Sequence, residues 1–103
     1  MSEAVLLYTL FGGEDEARDV ARTLVEEGLV GCANIGAAVT SIYRWQGKVE
    51  EEREIPALFK LAPAMLEEAK ARLAELHSYE EPAILHWPAG TTAGYGAWLA
   101  ADA

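Results

Sequence analysis

The stretch TSIYRWQGKVEEEREI, residues 40–55, constrains this chain more than any other. From Val39 to Trp45 the residues alternate in strand fashion, with Val39, Ser41, Tyr43 and Trp45 on one face and Thr40, Ile42 and Arg44 on the other. Gln46-Gly47 supplies a two-residue turn. The chain then returns through Glu50, Glu51, Glu52 and Glu54. Such a hairpin presents two faces, and a chain of 103 residues has little material to cover them. A domain of this size buries only somewhat over ~60% of the surface its unfolded chain exposes.

The remaining pattern places the hairpin in a fold. Residues 4–11 (AVLLYTLF) form an apolar run of strand length, read as a central strand covered on at least one face. After Gly12-Gly13 comes a helix with acids in its first turn and an apolar stripe of Ala17, Val20, Ala21, Leu24 and Val25, ended by Gly28. Residues 32–45 read as one long strand, bent or bulged near Gly36 and Ala37-Ala38. Residues 54–61 (EIPALFKL) return as the third strand, with Pro56 at a bulge, at an edge, or where no neighbour demands a donor. Pro63 opens a second helix whose buried stripe is Leu66, Ala69, Leu73 and Leu76. Residues 83–87 make a fourth strand and residues 95–101 a terminal helical segment. No repeat or low-complexity linker interrupts the chain, so a single domain over residues 1–103 is expected.

The order β-α-β-β-α-β is the split β-α-β of the ferredoxin-like fold, in the α+β class. Two helices cover one face of its antiparallel sheet. Nothing remains for the other face, so the apolar hairpin calls for a partner, and another copy of the chain is the simplest one.

Composition removes several function classes. The formal net charge is −9, which speaks against nucleic acid and anionic membrane as partners. Cys32 is the single cysteine, so no internal disulfide forms and a reducing cytoplasm is the expected compartment. The first residues show neither a basic signal region nor an apolar run able to span a bilayer. There is no Gly-x-Ser-x-Gly elbow, no full phosphate loop, no Cys-x-x-Cys and no His-x-x-x-His, which gives catalysis or a strong intrinsic metal site little support. No enzyme and no tightly bound cofactor is expected.

TLVEE with Leu29 (23–27), Cys32, Asn34-Ile35, TSIYRWQGKVE (40–50), Lys60, Leu76-His77, Tyr79, Pro82 and Trp98-Leu99, in this order and spacing, resemble the CutA family of divalent-cation tolerance proteins. The resemblance spans nearly the whole chain. It implies a ferredoxin-like subunit in a homotrimer of PII-like architecture, whose long hairpin pairs with neighbouring subunits. It also implies a non-enzymatic role in the response to divalent cations, copper(II) among them, and a cleft between subunits suited to sensing a small ligand. Ile42, Arg44, Trp45 and Val49 then fall at the trimer interface. Tyr43, Trp45, Glu54, Lys60 and Tyr79 approach one another in the cleft, where Lys, Glu, a tyrosine hydroxyl and an aromatic wall would hold a small anionic or zwitterionic ligand. The bland alternative is an interface salt bridge with packed aromatics.

This chain departs from the family pattern in HSYEEPA, residues 77–83: Ser78 and Ala83 replace a proline and a glutamate. Of the copper ligands proposed for some members only His77 matches, since Tyr8 and Leu76 stand at the other positions. His77 and Cys32 are the candidate metal ligands. The plainer readings make Cys32 a small core residue and His77 a helix C-terminal cap. The glutamates of residues 50–54 read as a solvated face that also attracts hard cations weakly. His86, between Leu85 and Trp87, reads as outward-facing. Leu61 and Met65 are unusual in the pattern, and if exposed they would make residues 63–76 a contact surface for a second protein or an engineered assembly. A trimeric scaffold, and a small enzyme using Lys60, Glu54 and Tyr79, are the rival readings.

Overall fold

A computed structural model describes residues 3–102. In chain order the elements are β1 (Glu3–Phe11), α1 (Glu14–Glu26), β2 (Cys32–Ile35), β3 (Val39–Trp45), β4 (Lys48–Leu61), a 3₁₀ turn (Pro63–Met65), α2 (Leu66–Leu76), β5 (Ile84–Gly90) and α3 (Ala93–Asp102). The sheet runs β2-β4-β1-β5, all antiparallel, and β3 pairs with β4 beyond the end of β2. This is the ferredoxin-like order, with the second strand in two pieces.

The break between β2 and β3 has a local cause. Gly36 donates its N–H to the Pro56 carbonyl at 3.0 Å, and a Cβ on Gly36 would meet the proline ring at 3.0 Å. That bond makes Gly36 and Pro56 a hydrogen-bonded pair, so the donor that Pro56 lacks would have faced Gly36 and not β1. The proline therefore costs the β1 ladder nothing, and the long strand expected over residues 32–45 divides there. The returning strand is longer than expected, beginning at Lys48 and absorbing the glutamate run. Its turn places Gln46 at φ 49° and Gly47 at φ 79°, left-handed values at both central residues that match the strand twist of a tight hairpin.

One face of the sheet packs against α1 and α2. Val5, Leu7 and Phe11 of β1 pair with Leu61, Phe59 and Ile55 of β4, and meet Val20, Leu24, Ala69 and Leu73 from the helices. Leu66 and Leu76 are only partly buried, and Val25 is 42% exposed, so the stripe of α1 narrows at its end. The other face is not wholly bare. The terminal helix, longer than expected, lies against β1 and β4, with Leu99 buried and Tyr95 beside Cys32. Leu85, Trp87, Tyr95 and Trp98 stay exposed around it.

Leu61 is fully buried and Met65 packs against the core. The expectation of a contact surface on residues 63–76 built from these two side chains therefore fails: both side chains serve the chain's own interior. No helix among the described residues is long and apolar enough to cross a membrane.

Candidate functional site

The segment after α2 turns under the end of β1 and joins three elements. His77 caps α2 with its N–H on the Leu73 carbonyl at 3.0 Å. Its ring is 7% exposed and stacks on Phe11 at 4.6 Å. The Tyr79 N–H lies 3.1 Å from His77 Nδ1. A backbone amide only donates, so Nδ1 accepts, and Nε2 carries the hydrogen that goes to the Leu10 carbonyl at 2.9 Å. Both ring nitrogens are thus committed inside the chain. The metal-ligand expectation for His77 does not fit this geometry, because no lone pair remains for an ion. The histidine instead ties the end of α2 to the end of β1, a role wider than the helix cap expected.

From this anchor Tyr79 reaches across to β4, where its hydroxyl donates to Glu54 Oε2 at 2.8 Å. Gly12 gives it room: a Cβ there would lie 3.4 Å from the hydroxyl. Glu54 is 8% exposed, and among the described residues no Lys or Arg forms an ion pair with it. A buried carboxylate served by a neutral hydroxyl is costly unless further donors arrive. Burial, and then the Glu54 carboxylate, hold the Tyr79 phenol well above its ordinary range.

The other expected cleft residues are far from this pair. Lys60 lies on the same strand face as Glu54 but six residues further along β4, roughly 20 Å at the strand rise, opposite Leu6 and Cys32. Trp45 lies equally far the other way, where it pairs with Lys48 at the hairpin tip. Within one chain only Glu54 and Tyr79 meet. Tyr43, opposite Glu50, shares a hairpin face with Glu50, Glu52 and Glu54; partial desolvation, and then Glu52, push its phenol upward. Of the expected interface residues, Ile42, Arg44 and Val49 share the opposite face with Glu51, while Trp45 points away from them. Ile42, Trp45 and Val49 are 65%, 60% and 68% exposed.

Cys32 is half-buried, with Sγ 3.8 Å from Asn34 Oδ1 and the Tyr95 side chain beside it. Neither it nor the exposed His86 belongs to a metal-ligating group: among the described residues no three His, Cys, Asp or Glu side chains converge. Register puts His86 opposite Leu7, on the helix-covered face at the sheet's edge. Sequence reading missed the Leu10 carbonyl as the partner of His77, because a backbone acceptor carries no residue signature. It also missed the fork in which Arg72 of α2 holds Glu27 at the end of α1, at 2.8 and 2.9 Å.

Comparison with known proteins agrees with this architecture. A family model described as CutA1 divalent ion tolerance protein matches residues 5–102. The divalent-cation tolerance protein CutA of Thermus thermophilus is 43% identical over 86 residues, 84% of this chain and 82% of that protein. The Pyrococcus horikoshii protein of the same name is 40% identical over 81 residues, 79% of this chain and 78% of that protein. The crystal structure of the divalent cation tolerance protein from Thermus thermophilus superposes with a TM-score of 0.86 at 41% identity, covering 94% of each chain. A match to the family model over nearly the full length, joined to the ferredoxin-like sheet and the projecting β3–β4 hairpin, makes this chain a member of the CutA1 divalent ion tolerance family.

Proposed function

We propose that the chain works as a cytoplasmic homotrimer in the response to divalent cations, copper(II) among them, without catalysing a reaction. The observation that carries this reading is the β3–β4 hairpin. It extends past the helices with Ile42, Trp45 and Val49 exposed, and a two-stranded ribbon with bare apolar residues is poorly stable by itself. Three copies wrapped by one another's hairpins would bury these side chains. The same assembly would let Trp45 and Lys60, distant within one chain, reach the Glu54–Tyr79 pair from neighbouring subunits. It would thereby form a cleft for a small anionic or zwitterionic ligand, as in PII-type sensing. The names of the relatives supply the cation link. His77 has no free nitrogen for copper(II), so the reading places the cation response in the assembly or its cleft and away from that ring.

The test is native mass by light scattering, with and without copper(II). The expected mass is three times the 11.1 kDa chain. The expected copper(II) binding is weak and unaffected by His77→Gln in any variant that keeps its fold. A monomeric mass would overturn the reading, and copper(II) binding lost in folded His77→Gln would overturn the statement about the cation.

A further inference from the structure

Just after α2 the chain makes a bond that its family pattern cannot make. Ser78 stands where that pattern carries a proline, and a proline has no N–H to give. Here the Ser78 N–H donates to Glu16 Oε2 at 2.8 Å, joining the segment after α2 to α1 across 62 positions of sequence. Glu16 is the third residue of α1, the place from which a glutamate ordinarily turns back to cap its own helix. Its carboxylate is aimed at Ser78 instead.

The backbone shows what this bond replaces. His77 has φ −69° and ψ 138°, the extended conformation that a following proline demands. A proline at the next position would fix its own φ covalently, whereas a serine leaves it to rotate. Glu16 supplies the restraint through a charge-assisted hydrogen bond. The residues on either side depend on it. His77 is held by the Leu73 and Leu10 carbonyls. Tyr79 gives its N–H to His77 Nδ1, tilts its ring against the imidazole at 4.8 Å and reaches Glu54 with its hydroxyl. Ser78 is the joint between the fixed histidine and the reaching tyrosine, so a turn of its backbone swings Tyr79 off Glu54.

We infer that Glu16 is a positioning residue for the Glu54–Tyr79 site: by holding the Ser78 N–H it sets the Tyr79 hydroxyl on Glu54 before any ligand arrives. This role deepens the cleft reading and rests on it for its purpose, since fixing a binding side chain in advance removes the ordering cost from the ligand. Its bonds all lie within one chain, so it needs no bare surface. Burial, then Glu54, Glu52 and lastly Glu16 hold the Tyr79 phenol above its ordinary range. Glu16 therefore acts on that phenol by its charge as well as through the backbone, and the two must be separated.

The test uses the full chain carrying an isotope label at tyrosine Cζ, Tyr79 being the resonance that Tyr79→Phe removes. Glu16→Gln loses the charge and keeps an acceptor. Glu16→Ala loses both. Glu16→Ala with Ser78→Pro returns the covalent restraint. Amide exchange at Tyr79 and the pH at which its phenol ionises are read beside the native mass. In Glu16→Ala the Tyr79 amide should exchange about tenfold faster, the worth of one hydrogen bond, and the phenol should ionise at lower pH than in Glu16→Gln. Glu16→Gln should keep the exchange of the parent, and the proline should restore it in Glu16→Ala. The amides of Leu7 and Phe59, in the core, should be unmoved in all three. An unchanged Tyr79 in Glu16→Ala would overturn the inference. So would equal effects of Gln and Ala, which would assign everything to charge, or a proline that restores nothing. Protection lost at Leu7 and Phe59 together with Tyr79 would make Glu16 a support of the whole fold and overturn it as well. A one-chain mass with the expected Tyr79 pattern would overturn the trimer and its cleft and leave the positioning of Tyr79 by Glu16 standing.

Discussion

The two halves of β4 differ more than any other pair of segments in the molecule. Residues 55–61 pair with β1 on one side, residues 57–60 of them also with β2 on the other, and Ala57, Phe59 and Leu61 are at most 1% exposed. Residues 48–53 pair with β3 alone and are exposed throughout. The strand does not stop at the boundary. Its 14 residues account for the 45 Å long axis of the chain at the usual strand rise. Backbone pairing and a well-formed turn thus carry order beyond the core, but only packing makes that order costly to lose. The buried half is stabilised from within the chain, and the projecting half depends on what is laid against it.

Phe59→Ala should have the largest effect. The ring is fully buried between the sheet and the helices, and its removal should cost about 3–5 kcal/mol in denaturant unfolding. The matched change in the other half, Val49→Ala, should stay within ~0.5 kcal/mol when the separated chain is measured. Equal losses would break the contrast, because they would mean that the hairpin belongs to the same core.

Tyr79→Phe tests the junction of the halves. The variant keeps the ring but leaves the buried Glu54 without its donor, and should cost about 1–3 kcal/mol. It also carries a pH signature. The Tyr79 phenol is held above its ordinary value of 10.0, so its contribution is complete below that pH and is lost as pH rises toward the folded-state value. The unfolding midpoint of the parent chain should therefore fall on going from pH 9 to 11 by more than that of Tyr79→Phe. Parallel pH curves would show that the hydroxyl–carboxylate bond contributes nothing to stability.

The same division governs what was legible in the sequence. Where a residue's role is set by its neighbours in the chain, the pattern revealed it. The stripe of α1, the turn at Gln46-Gly47, the proline at the start of the second helix and the alternation of β3 are local events, fixed by periodicity and by φ preference. Pro56 was legible as a problem but not as a solution, since the answer lies in Gly36, on another strand. Val25 sits on the stripe, yet it is 42% exposed. Leu61 looked anomalous only against a family pattern; by alternation with Phe59 it belongs inside. For His77 the residue type suggested an ion, whereas its surroundings supply one amide donor and one carbonyl acceptor, which use both nitrogens. Trp45, Glu54 and Lys60 were grouped through resemblance, whereas register places Trp45 at the tip of the β3–β4 ladder and Lys60 near the far end of β4, each about six residues from Glu54.

Val49→Lys should have the smallest effect on the fold of one chain and decides whether the comparison is between a core and an interface. The side chain is 68% exposed, so the separated chain loses almost no buried surface, and its unfolding should shift by less than ~0.5 kcal/mol. In a trimer the same change would drive an ammonium into an apolar contact with no partner, a cost large enough to dissociate a standard interface. The native mass should therefore fall toward that of one chain while the circular dichroism of the core persists. Amide exchange separates the two causes. Amides of residues 40–45 should exchange slowly in the parent and quickly in Val49→Lys, whereas those of residues 57–61 should remain protected in both. If the hairpin amides stay protected in a monomeric Val49→Lys chain, the projecting ribbon is stable alone and its exposed tryptophan and isoleucine need another explanation. If mass and exchange are both unchanged, Val49 lies outside the contact, and the opposite hairpin face, with Trp45 and Tyr43, becomes the one that subunits share.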